Sequence, residues 1–169
     1  MKKLVTILVS LFLASSAWAS DFSALENQYQ GRLGIFALDT STQRTIEYRS
    51  QEQFPFDSTF KVILVGAILK KSESNQNLLT KVIHYTQTDI DQSGYAPITS
   101  KHLKEGMTIE ELCAAAISYS DNTAANLLIH ELGGTSKVTE FARSLGDLSF
   151  RLDREEPDLN SNTPGVTAP

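Results

Sequence analysis

The chain has 169 residues, 41% of them hydrophobic, and a formal net charge of −5 at pH 7. That length suffices for one domain with a sizeable core. The acidic balance argues against a nucleic-acid partner, and past the first residues no apolar run is long enough to cross a membrane.

Lys2 and Lys3 open the chain, Leu4 to Leu13 form an apolar run too short to span a bilayer, and Ala17-Trp18-Ala19 is an A-x-A cleavage site. This order is that of a secretory signal over residues 1–19. It predicts an exported, periplasmic product covering 20–169 and free of the membrane once the signal is cut. Without the two lysines, 13 basic residues face 20 acidic ones, a net charge of −7.

A short helix is expected at about 23–30. Residues 32–39 and 44–49 read as a strand pair joined by the polar turn Thr40-Ser41-Thr42-Gln43. The segment 58–71 reads as a helix apolar on nearly every side, through Phe60, Val62, Ile63, Leu64, Val65, Ala67 and Ile68. Such a helix is expected to run through the centre of a domain. Thr108-Ile109-Glu110-Glu111 reads as a capping box. Ile109, Leu112, Cys113, Ala116 and Ile117 then mark one helix face. Asn122 to Leu132 reads as a second helix, stopped by Gly133-Gly134. Thr135 to Leu145 reads as a third, with Val138, Phe141, Ala142 and Leu145 on one face. From Asp153 the polar, turn-rich tail reads as loop.

Cys113 is the only cysteine, so no internal disulfide is possible, and its apolar helical setting suggests a buried structural thiol. His84, His102 and His130 share no spacing that suggests a metal site. No metal is expected.

Three words carry chemistry: Ser58-Thr59-Phe60-Lys61, Ser120-Asp121-Asn122 and Glu156-Pro157-Asp158-Leu159-Asn160. Ser58 and Lys61, three apart at a helix start, share a face. A serine hydroxyl becomes a nucleophile when a base takes its proton, and an amine can be that base. Alone, the pattern is weak, and a capping serine with a solvated lysine is its ordinary reading. Ser120-Asp121-Asn122 can cap the following helix and still turn Ser120 and Asn122 toward a pocket. Glu156 and Asn160 could hold one water between them, with Glu156 as general base; their acidic surroundings also fit a solvated loop.

In order, the three words resemble the class A serine β-lactamase family, whose first two motifs match Ser58–Lys61 and Ser120–Asn122. Ser118 to Leu128 and Arg151 to Asn160 resemble the family's segments closely, and Tyr95-Ala96-Pro97 resembles its aromatic gatepost. The resemblance covers nearly all of 20–169 but only the N-terminal part of a family member. It implies an α+β, β-lactamase/transpeptidase-like fold, here a mostly helical domain with an incomplete, two-stranded part of the antiparallel sheet. It implies β-lactam hydrolysis through an acyl-serine intermediate by a monomer, without cofactor. Ser58 would be the nucleophile and Lys61 its proton acceptor or relay. Ser120 would protonate the leaving lactam nitrogen, and Asn122 would bind the substrate amide. Glu156 would activate water, helped by Asn160. Asn126 and Arg154 would support the loop carrying Glu156, and the Glu156–Pro157 bond would be cis.

The sequence departs from the family in two places. It holds no Lys-Thr/Ser-Gly word, which in the family walls the site and brings a second oxyanion donor. Pro169 stands where the family has the aspartate that pairs with the arginine matching Arg154. The expectation for these 169 residues alone is therefore an impaired or inactive piece. Two alternatives stand beside the hydrolase: a penicillin-binding transpeptidase or carboxypeptidase, and a non-catalytic remnant.

Overall fold

The computed structural model describes residues 15–160, with side chains from Asp21 onward. The expected signal therefore lies outside the described side chains. The chain divides into two compact units, Met1–Phe54 and Pro55–Pro169.

In the first unit, helix α1 spans Ser15–Tyr29, beginning earlier than the sequence pattern suggested. Strands β1 (Ile35–Asp39) and β2 (Arg44–Tyr48) pair antiparallel, with Ile35 opposite Tyr48 and Asp39 opposite Arg44. The turn is closed by Asp39, whose carboxylate accepts from the Thr42 and Ser41 hydroxyls and from both backbone N–H groups. These donors, Thr42 foremost, hold its pKa well below the usual carboxylate range. Glu26 ties α1 to the hairpin by accepting from Leu33 N, Tyr48 Oη and an Arg49 guanidinium nitrogen at 2.8, 2.8 and 3.0 Å. Its pKa falls to about 2, chiefly through the Leu33 amide and then Tyr48 and Arg49.

The second unit is helical. A 3₁₀ turn at Asp57–Thr59 leads into α2 (Phe60–Ser72). Next come β3 (Val82–Ile83), α3 (Gln87–Ser93) and β4 (Met107–Thr108), with β3 and β4 antiparallel. Then follow α4 (Ile109–Tyr119), α5 (Asn122–Leu132) and α6 (Thr135–Ser144). A last 3₁₀ turn, Asp158–Asn160, closes the described chain.

The core gathers Phe60, Leu64 and Ile68 of α2, Ile109 and Leu112 of α4, Leu128 and Ile129 of α5 and Val138 of α6, all fully enclosed. Burying each large side chain contributes roughly 1.5–3 kcal/mol. Helix α2 is not buried all round as its composition suggested: Val62 is 64% exposed and Leu69 48%. The buried positions Phe60, Lys61, Leu64, Val65, Ala67 and Ile68 follow one broad helical face instead. Ile117 and Leu145, expected on core faces, are likewise exposed.

The caps follow their local chemistry. Thr108 and Glu111 form the reciprocal capping box that starts α4. Gly133, at φ 111°, ends α5 in the left-handed region. The hairpin β3–β4 and helix α3 have no counterpart in the sequence reading, although Thr86 and Asp89 form a second capping box at the start of α3. Gly106, at φ 74°, sits beside that hairpin, where any Cβ would meet Ile83 O at 2.6 Å. Cys113 is buried as expected, and burial pushes its thiol up to about 11.

Candidate active site

Lys61 is the centre of the site. It projects from the first turn of α2 and is 1% exposed. Its Nζ donates to Ser58 Oγ at 2.9 Å, Ser120 O at 3.0 Å, Ser120 Oγ at 3.1 Å and Asn122 Oδ1 at 2.7 Å. Glu156 Oε1 lies 3.0 Å away as a fifth oxygen. An ammonium has three protons, so the four accepting oxygens share them, with the Glu156 carboxylate close by as counter-charge. Taking two charges out of water costs several kcal/mol per ion, and surrounding hydrogen bonds must offset it. Here the hydroxyl, carbonyl and amide oxygens around Lys61 do so.

Ser58 sits in the 3₁₀ turn before α2. Its oxygen serves no helix cap; it accepts from Ser120 Oγ at 2.7 Å as well as from Lys61. Ser120 is the residue after α4 and adopts φ 55°, ψ 31°. A non-glycine residue there costs about 1–2 kcal/mol. The left-handed turn is occupied by the residue whose carbonyl and hydroxyl both meet Lys61.

The middle letter of the second word holds that turn. Asp121 is fully buried. One carboxylate oxygen accepts from Ile98 N and Thr99 N at 3.0 and 2.9 Å; the other accepts from Ala124 N and Thr99 Oγ1, both at 2.9 Å. It caps α5 through Ala124 N and pins the 98–99 segment. So the capping role and the pocket role of Ser120-Asp121-Asn122 coexist, on different residues. Asn122 points its oxygen at Lys61 and its Nδ2 at Ser93 O, 3.1 Å away. The backbone N–H of Asn122 donates to Tyr95 O at 2.8 Å, which places Tyr95, 54% exposed, beside the site.

Glu156 comes in from the last loop. Phe150 and Leu152 are buried at the start of that loop, Phe150 packing edge-on against Phe56 at 4.7 Å. Asn126 of α5 clamps the Glu156 backbone on both sides, accepting from its N–H at 3.0 Å and donating to its carbonyl at 2.9 Å. The Glu156–Pro157 bond is cis, as the resemblance implied. Asn160 Nδ2 donates to Glu156 Oε2 at 2.8 Å. Glu156 Oε1 is buried and, despite its 3.0 Å approach to Lys61, makes no contact of hydrogen-bond geometry among the described residues. The distance supports charge attraction, while the angle leaves a lone pair available to another donor. Arg154 is engaged by an interaction of its own; Pro169 lies outside the described residues.

The structure thus brings together Ser58, Lys61, Ser120, Asn122, Glu156 and Asn160, with Asn126 and Pro157 in the supporting loop contacts and Tyr95 alongside. The sequence reading missed Ser93, Thr99 and the structural weight of Asp121. Only Asp121 carried a signal, its place inside the second word. Among the described residues no group of His, Cys, Asp and Glu is arranged to hold a metal ion.

A profile of the "Beta-lactamase enzyme family" matches residues 17–168. A β-lactamase of Streptomyces cellulosae is 50% identical over 141 residues, covering 83% of this chain and 45% of that protein. The β-lactamase OXY-2 of Klebsiella oxytoca is 48% identical over 164 residues, covering 93% and 56%. Among solved structures, a class A β-lactamase from Mycobacterium abscessus superposes with a TM-score of 0.83 at 45% identity, covering 86% of this chain and 55% of that one. The chain spans about half the length of these relatives.

Proposed function

The chain belongs to the class A β-lactamase family, and from that premise we propose that its site performs the first half and the base step of β-lactam hydrolysis through an acyl-serine. The observation that carries this reading is the meeting of three sequence words on one amine: Lys61 Nζ lies within 3.1 Å of Ser58, Ser120, Asn122 and Glu156.

Ser58 Oγ attacks the lactam carbonyl. Its proton passes to the Lys61 cluster, taken by Lys61 in its neutral amine form or by Glu156 through a water. Ser120 Oγ, bonded to Ser58 Oγ and next to Lys61, returns a proton to the departing lactam nitrogen. Asn122 binds the substrate's side-chain amide. In the second step Glu156 takes a proton from water, using the lone pair on Oε1, and the hydroxide cleaves the ester at Ser58. Asn160 holds the other carboxylate oxygen in place. The Glu156–Asn160 contact supports a hydrolase over a transpeptidase, because a base held there would serve the water that attacks an acyl-enzyme.

For these 169 residues alone we infer slow turnover. The second oxyanion donor and the carboxylate-binding wall that the family draws from its Lys-Thr/Ser-Gly strand are not among them, and one oxyanion donor is worth about 10²–10³ in kcat. The test therefore reads a covalent product over hours. Incubated with benzylpenicillin, the chain should gain a penicilloyl adduct on Ser58, seen by mass spectrometry, and Ser58→Ala should gain none. An unmodified Ser58, or an equal adduct on the alanine variant, would overturn the reading.

We propose export as well, supported by the Lys2-Lys3, Leu4–Leu13 and Ala17-Trp18-Ala19 pattern. The product recovered from the periplasm should begin at Ser20 by N-terminal sequencing. A cytoplasmic product that keeps Met1 would refute it.

A further inference from the structure

Two consecutive carboxylates, Glu155 and Glu156, stand at the point where the last loop meets the site. One must turn in and the other out. Glu156 is the inward one, its side chain 1% exposed against Lys61. Glu155 is turned outward and 37% exposed, with both oxygens at His130 Nε2, 2.9 and 3.0 Å away. His130 lies on α5 four residues beyond Asn126, so the two side chains share one helix face. Asn126 grips the backbone of Glu156, and His130 grips the side chain of Glu155.

We propose that His130 is a positioning residue. By engaging Glu155 it fixes the register of the loop, so that Glu156 enters the site. Asn126, Asn160 and Lys61 all act on Glu156 itself. A grip one residue earlier adds a separate constraint, and it disfavours the exchanged state in which Glu155 would turn toward Lys61. A neutral ring with its proton on Nε2 donates to the carboxylate, and a protonated ring adds charge. The grip therefore does not depend on the ring being charged.

The role rests on Glu156 being the base, so the test uses two readouts. The first needs no chemistry: hydrogen exchange of the Glu156 amide, which donates to Asn126. Exposed pairs of this kind are worth about 0.2–1 kcal/mol. In His130→Ala the Glu156 amide should exchange up to about fivefold faster, with the change confined to 153–160. Glu155→Ala should do the same, and the double variant should add nothing further. His130→Gln, whose amide nitrogen falls near the position of Nε2, should restore protection.

The second readout is the Ser58 adduct. His130→Ala should form it at the wild-type rate and release it up to about fivefold more slowly, again with rescue by His130→Gln. Unchanged exchange, equal acceleration along all of α5, or no rescue by glutamine would each overturn the latch. Wild-type Ser58 forming no adduct would sink the functional reading alone, and the exchange data would still decide the latch.

Discussion

Replacing Glu156 with Gln should leave Ser58 blocked as an acyl ester. Ser58, Lys61 and Ser120 should keep their mutual contacts of 2.7–3.1 Å, so the Ser58 proton retains an acceptor in Lys61 when that group is a neutral amine. Water loses its base. A general base contributes about 10²–10⁴-fold, and release of the adduct should slow by that order while its formation continues. The near-isosteric amide keeps an oxygen for Asn160 Nδ2. It also leaves Lys61 without its buried counter-ion. Breaking a buried pair costs about 3–5 kcal/mol when the remaining charge has no other partner, but Lys61 retains four oxygens from Ser58, Ser120 and Asn122. Circular dichroism would confirm that the variant is folded, and mass spectrometry over time after penicillin is removed would follow the adduct. Release at the wild-type rate would remove Glu156 from the role of base.

Asp121→Ala should be the most damaging substitution to the site that touches neither nucleophile nor base. Four donors converge on this fully buried carboxylate: Ile98 N, Thr99 N, Thr99 Oγ1 and Ala124 N. Alanine leaves them facing a void. Each unsatisfied buried group costs about 1–3 kcal/mol, partly relieved by relaxation and entering water, so a loss of about 3–5 kcal/mol is expected. For a unit of this size that lowers Tm by about 10–20 °C. Asparagine should recover little. Both carboxylate oxygens accept from backbone N–H groups, so either orientation of an amide sets its NH₂ against one of them. The same loss frees the turn that places Ser120 and Asn122 on Lys61, so adduct formation at Ser58 should fall along with stability. Thermal melts of wild type, Asp121→Ala and Asp121→Asn are the measurement. A Tm within a few degrees of wild type for the alanine variant would show that Asp121 does not hold the turn.

The local events were readable from neighbouring residues alone. Thr108 and Glu111 start α4 because a hydroxyl and a carboxylate three residues apart satisfy each other's backbone amides. Gly133 stops α5 because the left-handed region costs it little. The strand pair was legible as two runs around a polar turn, with ends within a few residues of β1 and β2. The three words, in order, were enough to indicate the family. These signals act over a few residues, where spacing and side-chain chemistry suffice.

Tertiary structure decided what depends on distant partners. The composition of α2 suggested burial on every side, yet Val62 and Leu69 are exposed, because periodicity marks apolar faces without saying which elements pack on them. Strands β3 and β4 have two residues each, too few for alternation to register. Asp121 had only its place inside the second word until segment 98–99 folded over it. Lys61 and Ser120 stand 59 positions apart, and His130 meets Glu155 across 25. Such contacts come from helix packing: α2, α4 and α5 share one core, and enclosing their apolar faces sets where each polar side chain ends. The sequence named the chemical groups, and the packing of that core placed them around one amine.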